Sequence, residues 1–287
     1  MFATTERQQF RYPPVKKGGR EIRVLDLSRR LSHDGLIQCS VRTISLGPAF
    51  NIETLNFKAL SYAWGDSDQP KHHILLDGKL FVIRNNLYDF LEVYRKRWTT
   101  CRTLWIDAIC IDQSNITERN HQVWMMGHIY SRAKGVVIWL GIDPGRDRVS
   151  GLRVDHVLAA SYILHWPSSL RAAAGVLRLL CRDQPPEYMT RALFDAPYFS
   201  RRWVYMEMLL ARKKRIFIGN TSLSWPVMLL LEFFAPYDIA PQLYANQKVM
   251  NRGTQQPLAQ LLTNFSRARC EDPHDLVYAF LGACDNG

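Results

Sequence analysis

At 287 residues, 47% of them hydrophobic, the chain suits one large domain with a buried core and excludes disorder throughout. A formal charge of +11 favours anionic partners, but the cations are scattered, with no run longer than Arg212-Lys213-Lys214-Arg215, which speaks against nucleic acid. The six cysteines contain no C-x-x-C pair and the histidines lack ligand spacing, so neither a disulfide framework nor a metal site is expected.

Residues 1–20 are polar and basic, without the apolar centre of a secretory signal, and read as a flexible lead-in. Residues 21–27 and 36–46 suggest two strands. The β-prone run 57–64 stops at Gly65-Asp66, a strand ending in a turn. Asp77-Gly78 between two apolar runs predicts a tight hairpin, since both residues tolerate positive φ. Asn85 or Asn86 then caps a helix whose Leu87, Phe90, Leu91 and Tyr94 share one face. The nearly continuous apolar run 103–111 predicts a central strand covered on both sides.

Asn115 with Glu118 three residues on marks a capped helix start, followed by a buried stripe of Val123, Met126, Ile129 and Tyr130. Residues 135–141 form another expected central strand. Beyond a polar loop at 144–150, helix is expected over 154–180 and 200–212, a strand over 215–219, and helices over 225–234, 258–265 and 276–281. The basic run at 212–215 reads as a solvated helix end, where cations complement the helix dipole. Strand and helix alternate from 57 to 141, which implies an α/β fold with a mainly parallel, doubly wound sheet. The organisation expected is a lead-in at 1–20, an α/β core at 21–225, and a helical extension at 226–287. No apolar run is long enough to span a membrane, so the default location is the cytoplasm.

Four blocks in order carry a family resemblance. They are Ala59 to Gly65; Leu104 to Gln113 with Glu118-Arg119, Gln122-Val123 and Trp139-Leu140-Gly141; Arg202-Trp203-Val204 with Glu207; and Asp272-Pro273, Asp275, Val277-Tyr278-Ala279 and Leu281-Gly282. The chain resembles the HET (heterokaryon incompatibility) domain, which implies a fungal effector of programmed cell death in non-self recognition. It departs from the usual pattern in having Asp112 for Asn and Met206 for Gln, and it stops soon after the fourth block, where members usually continue. A more distant resemblance joins Trp203 to Glu207, on a helix leading into a strand, and Ser61-Tyr62 at a strand end, to Toll/interleukin-receptor (TIR) domains. That similarity implies a flavodoxin-like fold. Because some TIR domains cleave NAD with that glutamate, it also points to NAD as a substrate.

Read as chemistry, Trp203 and Glu207 lie one turn apart on a helix face extended by Leu210, so Glu207 is expected to be partly desolvated. A fixed carboxylate can stabilise the positive charge that develops as nicotinamide leaves ribose, and a tryptophan can stack on the flat ring. The competing account makes Glu207 an ion-pair partner of Arg201, Arg202 or another arginine. Ligands gather outside the carboxyl ends of parallel strands. Ser61, Tyr62, Trp64, Gly65, Asp66, Asp112 and Gln113 are therefore candidate substrate-binding residues, with Trp203. Asp107, placed in mid-strand, is either a binding residue or a buried fold determinant. Trp105 and Trp139 read as core. No glycine-rich phosphate loop or other cofactor motif is present. Partners compatible with these residues are NAD, a second copy of the chain, or a sensor protein that clusters it. Two functions therefore compete, a NAD glycohydrolase with Glu207 as catalytic carboxylate and a non-enzymatic module that signals by assembly.

Overall fold

Tight turns and alternating burial set up the sheet. The computed structural model describes residues 8–16, 18–47, 55–97, 101–142, 196–225, 257–266, 268–270 and 272–284. Strands β1 (Glu21–Leu31) and β2 (Ile37–Ser45) form an antiparallel hairpin, and β3 (Lys58–Tyr62) follows. A second hairpin joins β4 (Lys71–Leu76) to β5 (Lys79–Arg84) through Asp77 (φ 49°) and Gly78 (φ 76°), the two positive φ values the sequence predicted. Helix α1 (Asn85–Arg97) buries Leu87, Phe90, Leu91 and Tyr94, the expected stripe. Then come β6 (Thr103–Trp105), the one-turn α2 (Asp107–Cys110), α3 (Ile116–Arg132) and β7 (Gly135–Trp139). A 3₁₀ turn (Pro197–Ser200) precedes α4 (Trp203–Leu210), β8 (Lys214–Ile218) and β9 (Thr221–Ser224); α5 (Leu258–Asn264) and α6 (Asp275–Leu281) follow.

The nine strands among the described residues join one sheet in the order β5-β4-β2-β1-β6-β3-β7-β8-β9. Its centre, β6-β3-β7-β8, is wholly parallel. In chain order these four run 2-1-3-4, the order of flavodoxin-like sheets, with a switch point where β7 lands on the far side of β3 from β6. Right-handed crossovers then require helices on opposite faces. Phe90 and Tyr94 of α1 meet Trp139 and Phe217 on one face, with ring centroids 5.7 and 6.0 Å apart. On the other face Tyr130 of α3 meets Trp105 at 5.6 Å, and α4 packs beside α3. The C-terminal helices cover α4, where Tyr205, Phe265 and Phe280 stack in sequence. Glycine lets α6 approach α3: a Cβ at Gly127 would lie 2.8 Å from Gly282 Cα.

The α/β class stands, but the mainly parallel sheet does not, since four of the eight strand pairings are antiparallel. The β1–β2 hairpin inserts beside β6, and its two-sided burial at Ile22, Val24, Leu25 and Leu27 reads locally like any interior strand. The run 103–111 also divides. After Trp105 the chain turns into α2, with the amides of Ile109 and Cys110 donating to Ile106 O. A short apolar run does not distinguish a buried strand from a buried turn of helix. Neither Asn85 nor Asn86 precedes α1 as a cap, because the helix begins at Asn85.

Met125 and Gln122, rather than the half-buried Val123, complete the α3 stripe. The basic run 212–215 links α4 to β8, with Lys214 and Arg215 already in the strand. Part of the lead-in is held: Phe10 N donates to Leu80 O at 3.0 Å, and Phe10 packs edge-on against Phe81. The helices expected over 154–180 and 225–234 and the loop over 144–150 lie almost wholly outside the described residues. No helix among the described residues is long and apolar enough to cross a membrane.

Candidate active site

The carboxyl ends of β3 and β6, beside the switch point, gather the polar groups of the core. Alternation along β3 turns Ser61 toward the α3–α4 face, where it is 1% exposed. There its Oγ donates to Glu207 Oε2 of α4. The Tyr198 hydroxyl, supplied by the 3₁₀ turn, lies 2.7 Å from the same Oγ. With Ser61 donating to the carboxylate, Tyr198 is left to donate to Ser61, giving a chain Tyr198–Ser61–Glu207. Tyr130 of α3 closes the cluster, its hydroxyl donating to Leu60 O at 2.9 Å.

Glu207 is 5% exposed and has no cation within the 4 Å of an ion pair among the described residues. Burial therefore dominates its titration and pushes its pKa up to about 7, against the charge of Arg201 and the Ser61 hydrogen bond, which favour the ionised form. The ion pair with Arg201 or Arg202 that competed as an account of Glu207 is not formed. Arg201 Nη1 donates to Tyr62 O, and Arg202 lies over the Phe280 ring with Nη1 3.3 Å from Leu276 O.

A second carboxyl group stands at the end of β6. Asp107 opens α2 instead of lying in mid-strand, which corrects its expected place and brings it to the ligand edge of the parallel strands. Its Oδ2 accepts the Trp64 indole N–H at 2.8 Å, tying the ends of β3 and β6 together. Burial raises its pKa too, opposed by Trp64 and by the charge of Arg201. Trp64 is half-buried, unlike the fully buried Trp105 and Trp139. Tyr62 is buried, and the combined burial and Asp107 charge hold its hydroxyl well above its ordinary pKa.

The remaining expected residues divide. Gln113 reaches in, its Nε2 donating to Asp107 O at 3.0 Å. Gly65 (φ 78°) shapes the exposed turn after β3, and its carbonyl accepts from Arg84 at 2.8 Å. Asp66 is exposed and closes a local turn onto Asp68 N. Asp112 caps its own loop through Ser114, and its amide bonds Glu118; none of these bonds reaches Glu207. Trp203 is half-buried one turn before Glu207. Glu118, whose amide Asn115 caps, turns its carboxylate to the buried Arg23 at 2.5 Å. Tyr130, Tyr198 and Arg84 join the site without having been singled out for it. Arg201, named only as an ion-pair partner of Glu207, joins it through Tyr62 O instead. Among the described residues no three His, Cys, Asp or Glu side chains gather as metal ligands would.

A parallel 2-1-3-4 core with its acidic groups at the strand ends defines a doubly wound α/β domain. The family model described as Heterokaryon incompatibility protein (HET) matches residues 57–207, just over half of the chain, and the chain belongs to that family. It is similar to the heterokaryon incompatibility protein 6, OR allele, of Neurospora crassa, with 34% identity over 132 residues, covering 42% of this chain and 18% of that protein. The chain thus matches well under two thirds of that relative. No solved structure matches it.

Proposed function

We propose that the domain is a fungal effector of incompatibility cell death that hydrolyses NAD at the nicotinamide–ribose bond, with Glu207 as its working carboxylate. The observation that carries this reading is a glutamate 5% exposed, bonded to Ser61 and lacking an ion-pair partner among the described residues. A buried acid outside any ion pair costs stability, and such groups concentrate at functional sites. In the reaction the C1′–N bond breaks and nicotinamide leaves with the electron pair. Water then forms the C1′–O bond and releases a proton, giving ADP-ribose. Ionised Glu207 would stabilise the positive charge on the ribose and accept that proton. Ser61, itself held by Tyr198, fixes the carboxylate. The net charge of +11 suits an anionic dinucleotide.

The test is nicotinamide release from NAD by the purified chain, clustered by a fused oligomerisation tag, beside Glu207→Gln. Release by the parent and its loss in the variant is expected. Absence of release from a folded, clustered parent that still kills cells would overturn the reaction. A second reading, signalling by assembly, draws on the exposed apolar side chains of α6: Leu276, Val277, Tyr278 and Leu281 are 43, 40, 54 and 40% exposed. On that reading Tyr278→Glu abolishes killing while Glu207→Gln leaves it intact.

A further inference from the structure

Two arginines approach the ends of the Tyr62–Gly65 segment at the switch point. Arg201, preceding α4, donates from Nη1 to Tyr62 O. Arg84, at the end of β5, donates from Nη1 to Gly65 O at 2.8 Å, with its guanidinium 5.5 Å over the Trp64 ring. The two carbonyls are three residues apart, so chain geometry holds them within about 11 Å of each other.

Both side chains are half-buried, and neither forms an ion pair with a carboxylate among the described residues. Nearby acids are otherwise occupied: Asp107 accepts from Trp64 and Ala108 N, Asp66 from Asp68 N, and Glu207 from Ser61. Arg23 shows how this sheet satisfies a purely structural arginine. It is 1% exposed, with its nitrogens bonded to Glu118, Pro13 O and Cys110 O. Arg84 and Arg201 each commit one N–H to a carbonyl, leaving charge and donors for something else. A guanidinium matches phosphate oxygens with two parallel N–H bonds.

We propose that Arg84 and Arg201 form an anion clamp that takes the pyrophosphate of a nucleotide, so that the site binds a phosphate-bearing dinucleotide and discriminates against the corresponding nucleoside. The clamp lies on the ligand edge of β3, where the two arginines bond the carbonyls of Tyr62 and Gly65 on either side of Trp64. This deepens the reading of Glu207 as a NAD-cleaving residue and rests on it for the identity of the nucleotide.

The probes are ADP-ribose and adenosine, titrated calorimetrically into the full chain and into Arg84→Gln, Arg201→Gln and the double variant. ADP-ribose affinity is expected to fall about ten-fold for each arginine lost, the order of a charge-assisted contact, and to weaken with added salt. Adenosine binding is expected to be equal in all four proteins. Arg84→Lys and Arg201→Lys, which keep the charge, restore part of the affinity and decide the matter should a glutamine variant fail to melt cooperatively. Unchanged ADP-ribose affinity in the folded double variant, or no ADP-ribose binding by the parent, would overturn the clamp. Nicotinamide release read separately keeps the two proposals apart. Binding through both arginines without release sinks the reaction and spares the clamp, and release from NAD unaltered by both substitutions does the reverse.

Discussion

Replacing Glu207 by Gln is expected to stabilise the protein, and only at the upper end of the pH range. The carboxyl group has a folded pKa of about 7 against 4.5 when exposed, so the native state binds its proton more tightly than the unfolded chain. Its contribution is fully present below pH 4.5, is lost as pH rises to about 7, and is level above that. The shift corresponds to roughly 3 kcal/mol, and because the group is almost fully buried little of this is screened. Gln keeps an acceptor for Ser61 Oγ and carries no charge. At pH 8 it should recover most of that difference, raising Tm by roughly 6–12 °C for a chain of this size, while at pH 4.5 the two proteins should unfold nearly together. Denaturant unfolding at both pH values, with the midpoint and slope fitted separately, measures it. A Gln variant no more stable than the parent at pH 8, or one shifted equally at both pH values, would refute the argument that burial outweighs the groups favouring this carboxylate's ionised form.

Ser61→Ala removes a donor to Glu207 and leaves Tyr198 without its acceptor; a loss of about 1–3 kcal/mol follows. With one group that favours the ionised carboxylate gone, the pH profile of nicotinamide release should move upward from its midpoint near the Glu207 pKa of about 7. Glu118→Ala strands the charge of Arg23 in the core and should cost roughly 3–5 kcal/mol in chemical denaturation, whereas Arg42→Ala, breaking a pair open to solvent, should cost under about 1 kcal/mol. Gly127→Ala sets a methyl 2.8 Å from the backbone of Gly282, so α6 must move off α3; a destabilisation of about 1–3 kcal/mol and faster amide exchange in residues 275–281 are the expected outcome.

Residues with local consequences were legible without coordinates. The hairpin at Asp77-Gly78 needs only two residues that accept positive φ, and the α1 stripe needs only the 3.6-residue period. Asn115 caps α3 through its own side chain, which accepts from Glu118 N three residues on. The Glu207 helix and the strand ending at Tyr62 could be read from blocks of adjacent residues. What those blocks met was set elsewhere in the chain. Ser61 and Glu207 are 146 residues apart and Trp64 and Asp107 are 43 apart, and no periodicity encodes such a distance.

The same limit accounts for the misplaced elements. Apolar residues along a run report burial on one or both faces, and that pattern is shared by parallel strands, antiparallel strands and short buried turns of helix. Sequence alone therefore determined the α/β class, the tight turns and the buried faces, because each follows from side-chain and φ preferences within a few residues. Tertiary structure alone decided that β1 enters antiparallel beside β6, that Asp107 sits at a strand end, and that Glu207 meets Ser61, itself held by Tyr198, with no ion pair among the described residues. Those outcomes depend on which distant segments pair across the sheet, and the contacts that fix them exist only once the chain has closed on itself.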